Sequence, residues 1–161
     1  MATIGSFQAR YVSGPDCAVT RNGKEAASQT YGQGAPLSLV AGLLTLVGDL
    51  NAINSLAGFA VEAATGTTST ERLYRPARAG DRYVMNLEDE GSAATLAQAN
   101  VGVLVNFNVD TTNLKADIET SGAVITIPCG RIISLYDAVG DVNGRVIVEL
   151  IDNPELGAET I

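Results

Sequence analysis

Histidine and tryptophan are absent from the 161-residue sequence, and cysteine occurs only twice. Without histidine no Ser-His or Cys-His nucleophile pair can form, and the commonest acid–base side chain is missing. Cys17 and Cys129 are too far apart for a CxxC pair or a clustered zinc site, so nothing points to a transition metal. They read as two reduced thiols, a disulfide staying open only for an exported chain. Aromatic residues make up 5% of the chain, so the core must come from Ala, Val, Leu and Ile. The five Tyr and three Phe are then the candidates for interface anchors. Cations are scarce as well: 10 Lys and Arg face 18 Asp and Glu, a formal charge of −8. Such a balance repels a phosphate backbone and argues against nucleic-acid binding. The apolar run Leu37–Val47 is too short to cross a bilayer, and no membrane partner is expected. The N-terminus lacks a basic region followed by an apolar one, which leaves a cytoplasmic origin as the default.

What is present is enough apolar residue, 46% of the chain, to bury one core in a domain of this length. Residues 1–33 read as a polar N-terminal arm. Phe7-Gln8-Ala9-Arg10-Tyr11-Val12 alternates as a short strand, stopped by Ser13-Gly14-Pro15-Asp16, and Asn22-Gly23 reads as a turn. Residues 34–161 read as the folded domain. Gly34-Ala35-Pro36 opens the buried strand Leu37–Val47, and Leu56-Ala57-Gly58-Phe59-Ala60-Val61 sets small residues beside one aromatic, as backbones in close approach require. A loop rich in threonine, Thr65–Thr70, precedes Glu71-Arg72-Leu73-Tyr74-Arg75, a turn at Ala79-Gly80-Asp81, and a return strand Arg82–Leu87.

Glu88-Asp89-Glu90-Gly91 reads as a solvated loop, and Ser92 as the cap of a short helix over Ala93–Ala99. Val101, Val103, Val105, Phe107 and Val109 fall on one face of the cleanest strand in the chain. A short strand follows at Leu114–Ile118, then apolar segments at Ala123–Ile127, Arg131–Tyr136 and Arg145–Ile151, the last two forming a hairpin with Asn143-Gly144 in its turn. Asp152–Ile161 reads as a tail. About eight to ten short strands with no β-α-β alternation give an all-β fold class, a small barrel or sandwich with one short inserted helix and an N-terminal arm.

Motifs for chemistry fail on their own residues. Gly23-Lys24 lacks the upstream glycine and the following hydroxyl of a phosphate loop, having Ala18 and Glu25 there. Asp141-Val142-Asn143-Gly144 would put Val139 and Leu150 at calcium-ligand positions. Thr112-Asn113-Leu114-Lys115 offers nothing to desolvate its lysine. Arg78-Ala79-Gly80-Asp81 is explained as a turn. No catalytic residue, metal site or cofactor is expected. Arg72, Arg75, Arg78 and Arg82 do gather several of the few cations in one hairpin, a patch suited to carboxylates on a partner or neighbouring subunit.

Ala35-Pro36-Leu37, Ala57-Gly58-Phe59-Ala60, the threonine-rich loop, Leu73-Tyr74-Arg75 and Ala79-Gly80-Asp81-Arg82-Tyr83 together resemble the head-decoration, or cement, proteins of tailed bacteriophages. The likeness covers roughly the middle third of the chain. It implies a β-tulip-like barrel, a homotrimer made in the host cytoplasm that sits on the capsid exterior of the virion and clamps neighbouring major capsid proteins. It also implies that Phe7, Arg10 and Tyr11 of the arm pair with capsid strands by β-augmentation, beside the arginines as further contacts. The competing reading of Arg10 and Tyr11 is an edge strand of the protein's own barrel. The competing function is a ligand- or carbohydrate-binding β-module of a phage tail or secreted protein, whose pocket would be lined by Tyr31, Tyr74 or Tyr83.

Overall fold

The computed structural model describes residues 10–14, 19–47, 56–89, 92–110, 113–118 and 128–151. Phe7, Cys17, the segment Ala123–Ile127 and the tail Asp152–Ile161 lie outside the described residues, as do Glu90, Gly91, Thr111 and Thr112. The chain is nearly all β, as expected.

Strands β2 (Arg21–Glu25), β3 (Pro36–Val40), β4 (Leu43–Leu46), β5 (Gly58–Ala60) and β6 (Glu71–Pro76) close into a barrel in the order β2-β4-β3-β5-β6. The run Leu37–Val47 is not one strand. It folds back at Ala41-Gly42, both at positive φ (50° and 76°), a two-residue turn that registers Val40 against Leu43 and Leu37 against Leu46. Glycine at the second position makes that turn accessible, and the apolar continuity of the run conceals it. Asn22-Gly23 is likewise strand rather than turn: Gly23 pairs with Arg72, and a Cβ there would strike the Leu44 side chain. Residues 21–25 are therefore a wall of the closed barrel, and a boundary at residue 33 between arm and domain would cut through it. The physical reason is that β2 is bonded on both sides, antiparallel to β6 and parallel to β4, and so needs little apolar side chain of its own. Inside the barrel Tyr31, Leu37, Leu44, Ala60 and Tyr74 form a small core.

A second sheet contains β1 (Arg10–Ser13), β7 (Arg82–Asp89), β8 (Ser92–Ala93), β9 (Leu104–Asp110), β10 (Asn113–Ile118), β11 (Gly130–Leu135) and β12 (Arg145–Leu150). Its path runs β1-β7-β10-β9-β11-β12, and β12 pairs again with β7, so the circuit from β7 through β10, β9, β11 and β12 returns on itself. Period-two alternation fills its interior: Tyr83, Met85 and Leu87 from β7, Val105 and Phe107 from β9, Ala116 and Ile118 from β10, Val146, Val148 and Leu150 from β12. The hairpin of β11 and β12 is as the sequence indicates, and the alternation in β9 holds at Val105 and Phe107.

Three local expectations are corrected. Val101 and Val103 precede β9, and Val101 is exposed, because Val101-Gly102 is a turn. The helix at Ala93–Ala99 is replaced by strand β8 and a single 3₁₀ turn, Gln98–Asn100. Asn100 closes that turn by accepting from the Ala97 amide at 2.6 Å, whereas Ser92 is paired to Asp89 in the sheet. Glu88 is fully buried rather than in a solvated loop, because β7 continues through Asp89 with β8 on one side and β10 on the other.

The two bodies share a core. In the three-residue β5, Ala60 faces the small barrel while Phe59 joins Tyr83 at 4.2 Å and Phe107 at 6.1 Å between ring centroids. Gly58 makes this possible, since a Cβ there would collide with the Arg75 carbonyl of β6.

Candidate interaction surface

The four arginines singled out in the sequence do not assemble into one patch. Strands β6 and β7 belong to different sheets, so the expected hairpin is a crossover: its turn, in which the Asp81 amide donates to the Arg78 carbonyl at 3.2 Å, carries the chain from the barrel to the second sheet. The arginines diverge accordingly. Arg72 is half-buried, 3.2 Å from Glu62 and 3.8 Å from Glu25. Arg75 stacks on the Tyr11 ring, 4.1 Å from its centroid. Arg78 is half-buried in the crossover, and Arg82, at the exposed start of β7, donates to Glu149 at 2.8 Å. The charges of Arg72 and Arg82 are thus met by acids of the same chain, since on a protein of charge −8 a carboxylate is usually within reach.

Tyr11 and Arg75 do come together. Strand β1 lies antiparallel on β7, with Arg10 opposite Val84 and Tyr11 opposite Tyr83. The Tyr11 and Tyr83 rings meet edge to face at 5.6 Å, so a cation–aromatic column of Arg75, Tyr11, Tyr83 and Phe59 ties the first strand to the joint between the bodies. Burial, then the nearby Asp81 carboxylate, raise the Tyr83 hydroxyl far above its ordinary value, with Arg75 opposing. Arg10–Ser13 therefore forms an edge strand of its own sheet. Among the described strands β1 pairs only with β7, and its other edge stays open, with Val12 and Ser13 exposed.

The tyrosines proposed for a sugar pocket are spent inside: Tyr31 and Tyr74 in the small barrel, Tyr83 in the larger core. No platform of the kind glycans stack on is built from them. Among the described residues the exposed aromatic is instead Tyr136, with Arg145 at 4.5 Å over its ring. Cys129 is buried and donates to Asn106 Oδ1 at 3.3 Å, and among the described residues no group of His, Cys, Asp or Glu could hold a metal ion. No helix among them is long and apolar enough to cross a membrane.

Two features escape a sequence reading. Glu25, fully buried, closes the threonine-rich loop: its carboxylate accepts from the Thr65 amide at 3.0 and 3.1 Å, the Thr65 hydroxyl at 3.0 Å and the Gly66 amide at 2.5 Å. Burial alone would raise its pKa, but these hydrogen bonds and the charge of Arg72 outweigh it and hold the carboxyl below the usual range. Forty positions separate the partners, so no local pattern signals the contact. The second feature is a group of exposed apolar residues, Val101, Tyr136, Val139 and Val142, at one end of the second sheet. Valines within a segment otherwise made of turn residues were the available signal.

No family model, no curated protein and no solved structure matches this chain.

Proposed function

We propose that the chain is a structural virion protein, a capsid decoration protein of a tailed phage. It binds the outside of the head as a homotrimer and bridges neighbouring major capsid proteins, with no catalytic step and no cofactor. The observation that carries this reading is the outer edge of β1, which no other described strand pairs, held against an all-β body by the Arg75-Tyr11-Tyr83-Phe59 column. A strand fixed at one edge and open at the other is the substrate of β-augmentation: a capsid strand can add its backbone hydrogen bonds without the cost of ordering a free arm. The segments behind the phage resemblance are also framework elements. Ala35-Pro36-Leu37 opens β3, Gly58-Phe59-Ala60 is β5, Leu73-Tyr74-Arg75 lies in β6, and the threonine-rich loop is clamped by Glu25. Many modest contacts repeated over a symmetric shell add up to a large resistance to internal pressure. The test is co-sedimentation with expanded, undecorated heads. Saturable binding is expected, and no binding at saturating protein sinks the proposal.

A further inference from the structure

We propose that this chain crosslinks itself once, through an amide bond between Lys115 of β10 and Asn86 of β7. Side chains alternate between the two faces of a strand, and β7 is buried on both faces from Tyr83 through Glu88. Tyr83, Met85 and Leu87 fill the apolar interior, so Asn86 (4% exposed) and Glu88 (0%) fall on the other face, as polar groups taken out of water. Strand β10 runs parallel beside them. Its Ala116 and Ile118 belong to the apolar interior, which puts Lys115 and Asp117 on the face of Asn86 and Glu88. Lys115 is in register with Asn86 and Asp117 with Glu88, and on the far side β9 sets Asn108 against Lys115 and Asn106 against Asp117. Lys115 is one of two lysines in the sequence. The fold sets it in line with a buried carboxamide and next to a buried carboxylate.

These three groups are the reactants of an intramolecular amide transfer. The lysine ammonium gives a proton to the Glu88 carboxylate, leaving two neutral groups, the cheaper form to hold away from water. The free amine adds its lone pair to Asn86 Cγ, and the Glu88 carboxyl donates a hydrogen bond to the carbonyl oxygen on which charge develops. Glu88 then hands its proton to Nδ2 and takes one from the lysine nitrogen. The Cγ–Nδ2 bond breaks, and ammonia leaves with the Glu88 proton as ammonium. The step runs once per chain and consumes no oxidant and no second substrate. Asn86 is placed for it better than its neighbours. Its Nδ2 donates to the Asn143 carbonyl at 2.6 Å, which fixes the carboxamide, whereas Asn106 Oδ1 is engaged by Cys129 at 3.3 Å and Asn108 lies one strand further from Glu88. The bond closes a loop from residue 86 to residue 115 around β8 and β9, and so limits how far the second sheet can open. It holds whether or not the chain binds a capsid.

The experiment is a tryptic map of the purified full chain, unfolded before digestion and read by tandem mass spectrometry. Trypsin cuts after Lys and Arg, and between Arg82 and Arg131 the sequence offers it only Lys115. A free Lys115 gives residues 83–115 and 116–131 as two peptides. The crosslinked chain is expected to give 83–131 in one piece, lighter by one ammonia, while Lys24 is cut as usual. Glu88→Gln and Asn86→Ala, each checked for fold by circular dichroism, should restore the two peptides, and Asn108→Ala should keep the single piece. A wild type that is cut at Lys115, or left uncut there at unaltered mass, overturns the proposal whatever the variants do. A light single piece that persists in Asn86→Ala overturns the choice of Asn86, and one that persists undiminished in Glu88→Gln overturns the role given to Glu88.

Discussion

Replacing Glu25 by Gln removes a charge and keeps the shape, which makes it the sharpest probe of the barrel. The carboxylate takes hydrogen bonds from two backbone amides and one hydroxyl at no exposure to water, and sits 3.8 Å from Arg72 Nε. A glutamine presents one acceptor and one donor, so at least one of the Thr65 and Gly66 amides faces an NH₂ group. With the glutamine oxygen in the place of Oε1 both amides keep an acceptor, so the cost is the exchange of charge-assisted hydrogen bonds for weaker neutral ones, with the Thr65 amide facing the NH₂ group, for a total of about 1–3 kcal/mol. Against a typical stability of about 5–15 kcal/mol that is a large share. The pH dependence gives a second handle. The folded carboxyl titrates below its ordinary value of 4.5, so its contribution is complete above that pH and is lost as pH falls through the lower folded value. Urea unfolding followed by circular dichroism should therefore show a constant gap between wild type and Glu25→Gln at neutral pH, narrowing in acid. A gap under about 0.5 kcal/mol at pH 7, the size of an ordinary surface change, would refute the reasoning.

Other substitutions test the joint between the two bodies. Phe59→Ala empties a site shared with Tyr83 and Phe107 and should cost about 3–5 kcal/mol, with both bodies unfolding in one transition when tyrosine fluorescence is compared with far-ultraviolet circular dichroism. Gly58→Ala, which drives a methyl into the Arg75 carbonyl, should cost at least about 1–3 kcal/mol by the same unfolding assay. A double-mutant cycle of Tyr11→Leu and Arg75→Met should return a coupling of about 0.5–2 kcal/mol. The Tyr11→Leu change should also speed exchange of the β1 amides.

How far the sequence reveals this molecule depends on the range of the interaction involved. Alternation is local, so β9, β10 and the β11–β12 hairpin are legible from Val105, Phe107 and the Arg145–Leu150 pattern. The Ala41-Gly42 turn is hidden because the residues on both sides are apolar, and β2 is hidden because its bonds to β4 and β6 come from chain neighbours far away in sequence. The arginine patch fails for the same reason. Nearness in sequence from Arg72 to Arg82 suggested one hairpin, but the crossover sends β6 and β7 into separate sheets, where Glu62 and Glu149, remote from the pattern, pair with the first and last. Tyr11 is legible as part of a short alternating strand, but its companion Arg75 can be named only once the fold brings them together.

The account rests on this chain strengthening a shell from outside, and the most direct measurement is the temperature at which filled heads open and release DNA, with and without added protein. The account predicts a rise that saturates with occupancy of the heads and is lost when a proline replaces Val12 in the open-edged strand β1. Heads that open at the same temperature whether bare or mixed with a saturating amount of the protein would contradict it.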